Sequence, residues 1–146
     1  METRGFVDRL DDQRIVQAIR DAESRSRGEI RVHVSGQEVQ DPRQAAARTF
    51  ERLGMAGTAE RNGVLVFVAP RSQSFSVIGD AGIHDRCGEA FWTEIAATMQ
   101  EEFRAGRFTD GIVKAVGRAG AALAEHFPRV AGRDDRNELP DRVSRD

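Results

Sequence analysis

Apolar residues recur at three- and four-residue spacing over Asp11–Glu23, where Ile15, Ala18, Ile19 and Ala22 form one stripe, and this predicts a helix. Ser24–Gly28 ends it. The next run, Glu29–Val34, alternates strictly, with Ile30, Val32 and Val34 on one face and a more polar face opposite, so it predicts a strand. Asp41-Pro42 places an N-cap residue before a proline at the first helical position. The helix it starts has Ala46, Ala47, Phe50 and Leu53 on its buried face and stops at Gly54. Gly63–Ala69 is a near-continuous apolar run between turn residues, the pattern of a central strand covered on both faces. The short polar link Pro70–Gln73 leads to a third strand, Ser74–Gly79, which a hairpin would pair antiparallel. The first two strands are joined through a helix, so a parallel pair with a right-handed crossover is expected.

Two more helices complete the pattern. Cys87–Ala105 carries Phe91, Ile95, Met99 and Phe103 on one stripe, with Gly106 where a C-cap glycine belongs. Thr109 is the expected cap of the last helix, whose buried face is Ile112, Val116, Ala119, Leu123 and Phe127. Beyond Pro128 the chain is mostly charged and shows neither a helical nor a strand period. It divides into a domain at 1–128 and a tail at 129–146, with no internal repeat. Leu139 is the apolar residue beside Pro140 in that tail. It is expected to dock on the domain, with Glu138 or Asp141 near an arginine and the residues on either side loose.

A chain of 146 residues builds one core without help from disulfide or metal. Its 22 basic residues are interspersed among 24 acidic ones, so no field draws it to nucleic acid and no membrane or nucleic-acid partner is expected. The single cysteine, Cys87, excludes an internal disulfide and a sulfur zinc cluster, which suits a reducing compartment. Met1–Leu10 is too polar for a signal peptide, and no apolar run approaches the ~20 residues that span a bilayer. The expectation is a cytoplasmic monomer.

The runs Gly28–Val34 (GEIRVHV), Arg61–Ala69 (RNGVLVFVA) and Ile78–His84 (IGDAGIH) resemble the core of the TPM domain family. Phe91-Trp92, Phe103–Ile112, His126–Pro128 and Asn137–Asp141 resemble a small stand-alone branch of that family without a membrane anchor. The resemblance implies a three-layer α/β/α sandwich with Rossmann-like features, and it brings an association with weak phosphatase activity and with binding of calcium or other divalent ions. Relatives outside the branch often carry an acidic residue before the NGVL segment, where this chain has Arg61.

The topology makes its own statement about chemistry. The start of the first strand (Glu29), the start of the second (Glu60, Arg61, Asn62) and the end of the third (Asp80) should meet at one sheet edge, with Asp85 following at a helix start. Oxygen donors without cysteine suit a hard cation, calcium or magnesium. The ordinary readings stand beside this one: Asp80 as a turn residue, Asp85 as a cap, Asn62-Gly63 as a turn and Glu29 as a partner of Arg31 or Arg61. His33 lies on the polar face of its strand, structural or exposed, and His126 at a helix end. With the histidines dispersed, zinc is not indicated. Cys87 reads as a packed small residue. Two roles follow. One is a cation-regulated binding module that contacts another protein. The alternative is a weak metal-dependent phosphatase in which Glu60 or Asp85 activates water and Arg61 steadies phosphate.

Overall fold

The computed structural model describes residues 2–129 and 143–146. Strands β1 (Glu29–Val34), β2 (Gly63–Ala69), β3 (Ser74–Gly79) and β4 (Ser144–Arg145) form one sheet in the order β3-β2-β1-β4. β1 pairs parallel with β2 and with β4, while β2 and β3 form the antiparallel hairpin.

The alternation of β2 decides the layers. Val64, Val66 and Val68 join Ile30, Val32 and Val34 in a large core packed by α2 (Asp12–Ser24), α5 (Glu89–Arg104) and α6 (Phe108–His126). Leu65, Phe67 and Ala69 face the other way, into a smaller core with Ala46, Phe50 and Met55 beneath α3 (Pro42–Arg52). Both faces of β2 are therefore buried, and the three layers are α/β/α.

Several local expectations are corrected. α3 buries Ala46, Thr49 and Phe50, whereas Ala47 is exposed. The helix expected at Cys87–Ala105 is α5, which begins after Gly88 at φ 79°, a conformation that interrupts a helix; the short helix α4 (Ala81–Cys87) before it was not expected. Gly106, at φ 78°, does follow the end of α5 in the left-handed conformation. Thr109 lies inside α6 and caps nothing: its Oγ1 accepts the backbone N–H of Asp11 at 3.0 Å, joining α6 to the start of α2. The segment Thr3–Asp8 is a further helix, α1, which buries Phe6. Residues 144–145, expected to be loose, form β4. Glu138, Leu139 and Asp141 lie outside the described residues.

The polar face of β1 is also buried: Glu29, Arg31 and His33 are all at most 7% exposed. In the parallel register Arg31 and His33 lie beside Leu65 and Phe67, on the sheet face where α3 packs, so this face is covered by a layer.

Glu102 is buried on α5 and takes Nε of Arg107 at 2.6 Å and Nζ of Lys114, the chain's one lysine, at 2.8 Å. The hydrogen bond from Arg107, then that from Lys114, holds its carboxyl down at about 2. A carboxyl lowered by folding stabilises the fold fully above its unfolded value, and that contribution disappears as pH falls through the folded one. Glu102→Gln is therefore expected to unfold at lower urea than the parent at neutral pH, with the gap closing as pH approaches about 2. A gap independent of pH would show that the charge of Glu102 contributes nothing to stability.

Candidate functional site

Register brings the N-terminal sheet edge together as its strand directions require: Glu29 lies opposite Gly63, and Gly79 opposite Val64. What occupies that edge is an arrangement of ion pairs. Asp80 is 7% exposed and caps α4, its Oδ1 accepting the N–H of Ala81 at 2.7 Å. The same carboxylate is held bidentately by Arg61, Nε to Oδ2 at 2.7 Å and Nη2 to Oδ1 at 2.8 Å. Arg61 itself adopts φ 52°, an uncommon conformation for a non-glycine residue, and this pairing helps to hold it. Glu60 is paired the same way with Arg27, at 2.9 and 3.0 Å. Asn62 is buried; its amide nitrogen donates to the Arg27 carbonyl at 3.2 Å, and its Oδ1 has no hydrogen-bond partner among the described residues. Asp85 is exposed on α4.

The edge thus assembles the residues named from sequence but gives both Asp80 and Glu60 to guanidinium groups. Among the described residues, no three His, Cys, Asp or Glu side chains are grouped so as to hold a metal ion. A hard cation takes six or more oxygens, and Asn62 Oδ1 is a donor at this edge without a hydrogen-bond partner among the described residues.

Cys87 is partly buried against the larger core, and burial, followed by nearby Glu125, raises its thiol pKa, which disfavours the nucleophilic thiolate. His126 Nε2 lies 3.9 Å from Glu125.

The opposite edge holds a feature that sequence patterns did not reveal. A groove of about 820 Å3 lies just beyond the carboxyl ends of the parallel strands. Ser35 follows β1, Arg71 follows β2 by two positions, and Asp146 follows β4; all three line it. α3 contributes Arg48 and Arg52, and Phe67 reaches it from β2. Open α/β sheets take their ligands at this end, where the chain leaves the strands and enters loops and helix starts.

The groups at the end of β1 converge on the Asp146 side chain. Gly36 N–H donates to Oδ1 at 2.7 Å, Ser35 Oγ donates to Oδ2 at 2.9 Å, and Arg52 Nη2 lies 3.6 Å from Oδ2. His33, 1% exposed, places Nε2 at 3.3 Å from the same oxygen. Its ring stacks on Phe67 with centroids 6.1 Å apart, and Nδ1 is 2.8 Å from Ser144 Oγ. Burial lowers the His33 pKa from its ordinary 6.5, against the pull of Asp146. The neutral ring can then accept at Nδ1 from Ser144, with Nε2 facing Asp146 in a contact too poorly aligned to be a full hydrogen bond. Burial by itself would raise the Asp146 carboxyl, but the hydrogen bonds from Gly36 and Ser35, with the contact from His33, outweigh it and hold the group below its usual value. His33 is therefore structural and enclosed, not exposed.

A sequence signal for half of this site existed: Ser35-Gly36 stands directly after a strand and shortly before a capped helix start. Arg52, Arg71 and Asp146 carried none, because nothing local marks which charged residues face a cleft.

Among the described residues no helix is long and apolar enough to cross a membrane. No curated protein matches the chain at a significant level. The NMR structure of the BA42 protein from the psychrophilic bacterium Bizionia argentinensis is similar, with 38% sequence identity, 94% of this chain and 96% of that one covered, and a TM-score of 0.83. The sequence pattern of the TPM domain matches residues 2–122. With that match spanning most of its length and the α/β/α architecture in place, the chain belongs to the TPM domain family.

Proposed function

We propose that this TPM domain is a binding module whose ligand is a small organic anion, held in the groove beyond β1 and β2. One observation carries the reading: Gly36 N–H, Ser35 Oγ and Arg52 already close on a carboxylate at the mouth of that groove. Backbone N–H, hydroxyl and guanidinium are the donors that recognise carboxylates and phosphates, and the volume falls in the range of ~300–1,000 Å3 that takes small molecules. Arg48 and Arg71 extend the positive lining, with Arg71 also bonded to Glu38 at 3.2 Å.

The test is an NMR titration of 15N-labelled protein with succinate as probe, repeated with inorganic phosphate. Saturable shifts of the Gly36 and Ser35 amides are expected. No saturable change at the groove with either probe would rule the reading out.

A second reading rests on the buried Asn62 Oδ1: a calcium or magnesium ion at the opposite edge, taking Asp80, Glu60, Asn62, Asp85 and Glu29 as donors. It requires Arg61 to release Asp80 and Arg27 to release Glu60. A calcium titration of the same sample distinguishes the two, since this ion would move the amides around Asn62 and Asp80 and leave Gly36 in place. If p-nitrophenyl phosphate is hydrolysed only with added metal, and Asp80→Ala abolishes the turnover, the function belongs to that edge and is enzymatic.

A further inference from the structure

The donors at the end of β1 already hold a carboxylate, that of Asp146. Asp146 follows a two-residue strand, β4, which meets only the last two positions of β1, His33 opposite Ser144 and Val34 opposite Arg145. Beyond that short ladder it is tied by the Ser144 hydrogen bond to His33 and by Val143, partly buried against the larger core. Arg145 is exposed, and its guanidinium reaches Asp12 at 3.5 Å across the surface. The cradle on the other side is firm. Ser35 is buried, its backbone N–H donates to the Val68 carbonyl at 2.8 Å, and His33 is packed against Phe67. The receptor is built into the middle of the sheet, whereas its occupant follows an edge strand of two residues.

Charge points the same way. Three arginines line the groove, Arg48, Arg52 and Arg71, against three carboxylates, Glu38, Asp41 and Asp146. Asp41 caps α3 and Glu38 is paired with Arg71. Withdrawing Asp146 would leave three positive side chains against two negative ones, with the Gly36 N–H and Ser35 hydroxyl without acceptors. That state favours an anion from outside.

We propose that Asp146 is a resident, displaceable ligand of a carboxylate subsite formed by Ser35, Gly36, His33 and Arg52, and that an external carboxylate binds by displacing it together with β4. This rests on the groove being the binding site, and it adds that binding is competitive with the chain's own side chain. A tethered competitor lowers apparent affinity by the fraction of molecules in which the subsite is open. Displacement also removes the β4 partners of His33 and Val34, so ligand binding is reported at the sheet edge.

The experiment compares succinate titrations of the full chain and its Asp146→Ala variant, following the Gly36 amide for affinity and hydrogen exchange of the Ser144 and Arg145 amides for release of β4. The expected result is binding at least about tenfold tighter in Asp146→Ala, with the β4 amides of the parent losing protection at saturation. Arg52→Ala should weaken binding in either background. Equal affinity in parent and variant, with β4 still protected, would overturn the displacement while leaving the groove as the binding site. No succinate binding by either protein would overturn the groove reading and the displacement together. Tighter binding by Asp146→Ala without release of β4 in the parent would overturn the role of the strand and leave Asp146 as a simple competitor.

Discussion

Phe67→Ala is expected to lower the melting temperature by about 10–20 °C. Phe67 is 1% exposed at the centre of β2, in the smaller core with Ala46, Phe50, Met55 and Leu65. Truncating a buried phenylalanine loses its transfer free energy and leaves a cavity, together about 3–5 kcal/mol. A domain of this size is stable by roughly 5–15 kcal/mol, and each kcal/mol moves its melting temperature by about 3–4 °C. The loss should be acute here because the α3 layer has few other large side chains to close the gap. The substitution also removes the ring on which His33 stacks, so it should loosen the end of β1 that carries Ser35 and Gly36. Calorimetry checks the first effect, and hydrogen exchange at the Gly36 amide the second. A shift of no more than a few degrees would mean that α3 repacks onto the sheet and that the smaller core does not hold the groove in shape.

The second large effect is expected for Gly82→Ala, by about 2–3 kcal/mol. A Cβ at position 82 would be driven into the backbone carbonyl oxygens of Glu60 and Arg61. Backbone cannot rotate aside as a side chain tip can, and overpacking of this kind costs about 1–3 kcal/mol or more. The Gly82 N–H also donates to the Arg61 carbonyl at 2.8 Å, so moving apart breaks a hydrogen bond and disturbs the Arg61–Asp80 pair that depends on the same turn. Gly117→Ala is the matched control, because nothing lies within 4 Å of the Cβ it would add on the exposed side of α6. There the better helix propensity of alanine should stabilise by up to about 1 kcal/mol. Opposite signs for the two substitutions in urea denaturation are the expected outcome. Equal effects would show that the turn at Gly82 has room to give.

Much of this architecture was legible before any coordinates. Strong periodicity located α2, β1, α3, β2, β3, α5 and α6 to within a residue or two, and the intervening helix and hairpin implied the parallel and antiparallel pairings. The site was less legible. The donors expected at one edge were brought to that edge, yet Asp80 and Glu60 face Arg61 and Arg27. Arg61 was noted as a departure from the family pattern, and its pairing with Asp80 is the structural form of that departure.

What the sequence determined by itself is what period and caps encode: the main apolar stripe of each helix, where Asp41 starts a helix, and that β2 is buried on both faces. These depend on neighbours a few positions apart, so a single chain displays them. Only the tertiary structure decided the rest. Ser144–Arg145 is too short to have a period, and its pairing with β1 joins positions 111 residues apart, as the His33–Ser144 hydrogen bond shows. Thr109 could be recognised as a cap former but not as the acceptor for Asp11, 98 residues away. The carboxylate subsite follows the same logic. Backbone and side chain from the end of β1, an arginine from α3 and a carboxylate after β4 meet because the parallel strands all end on one side of the sheet.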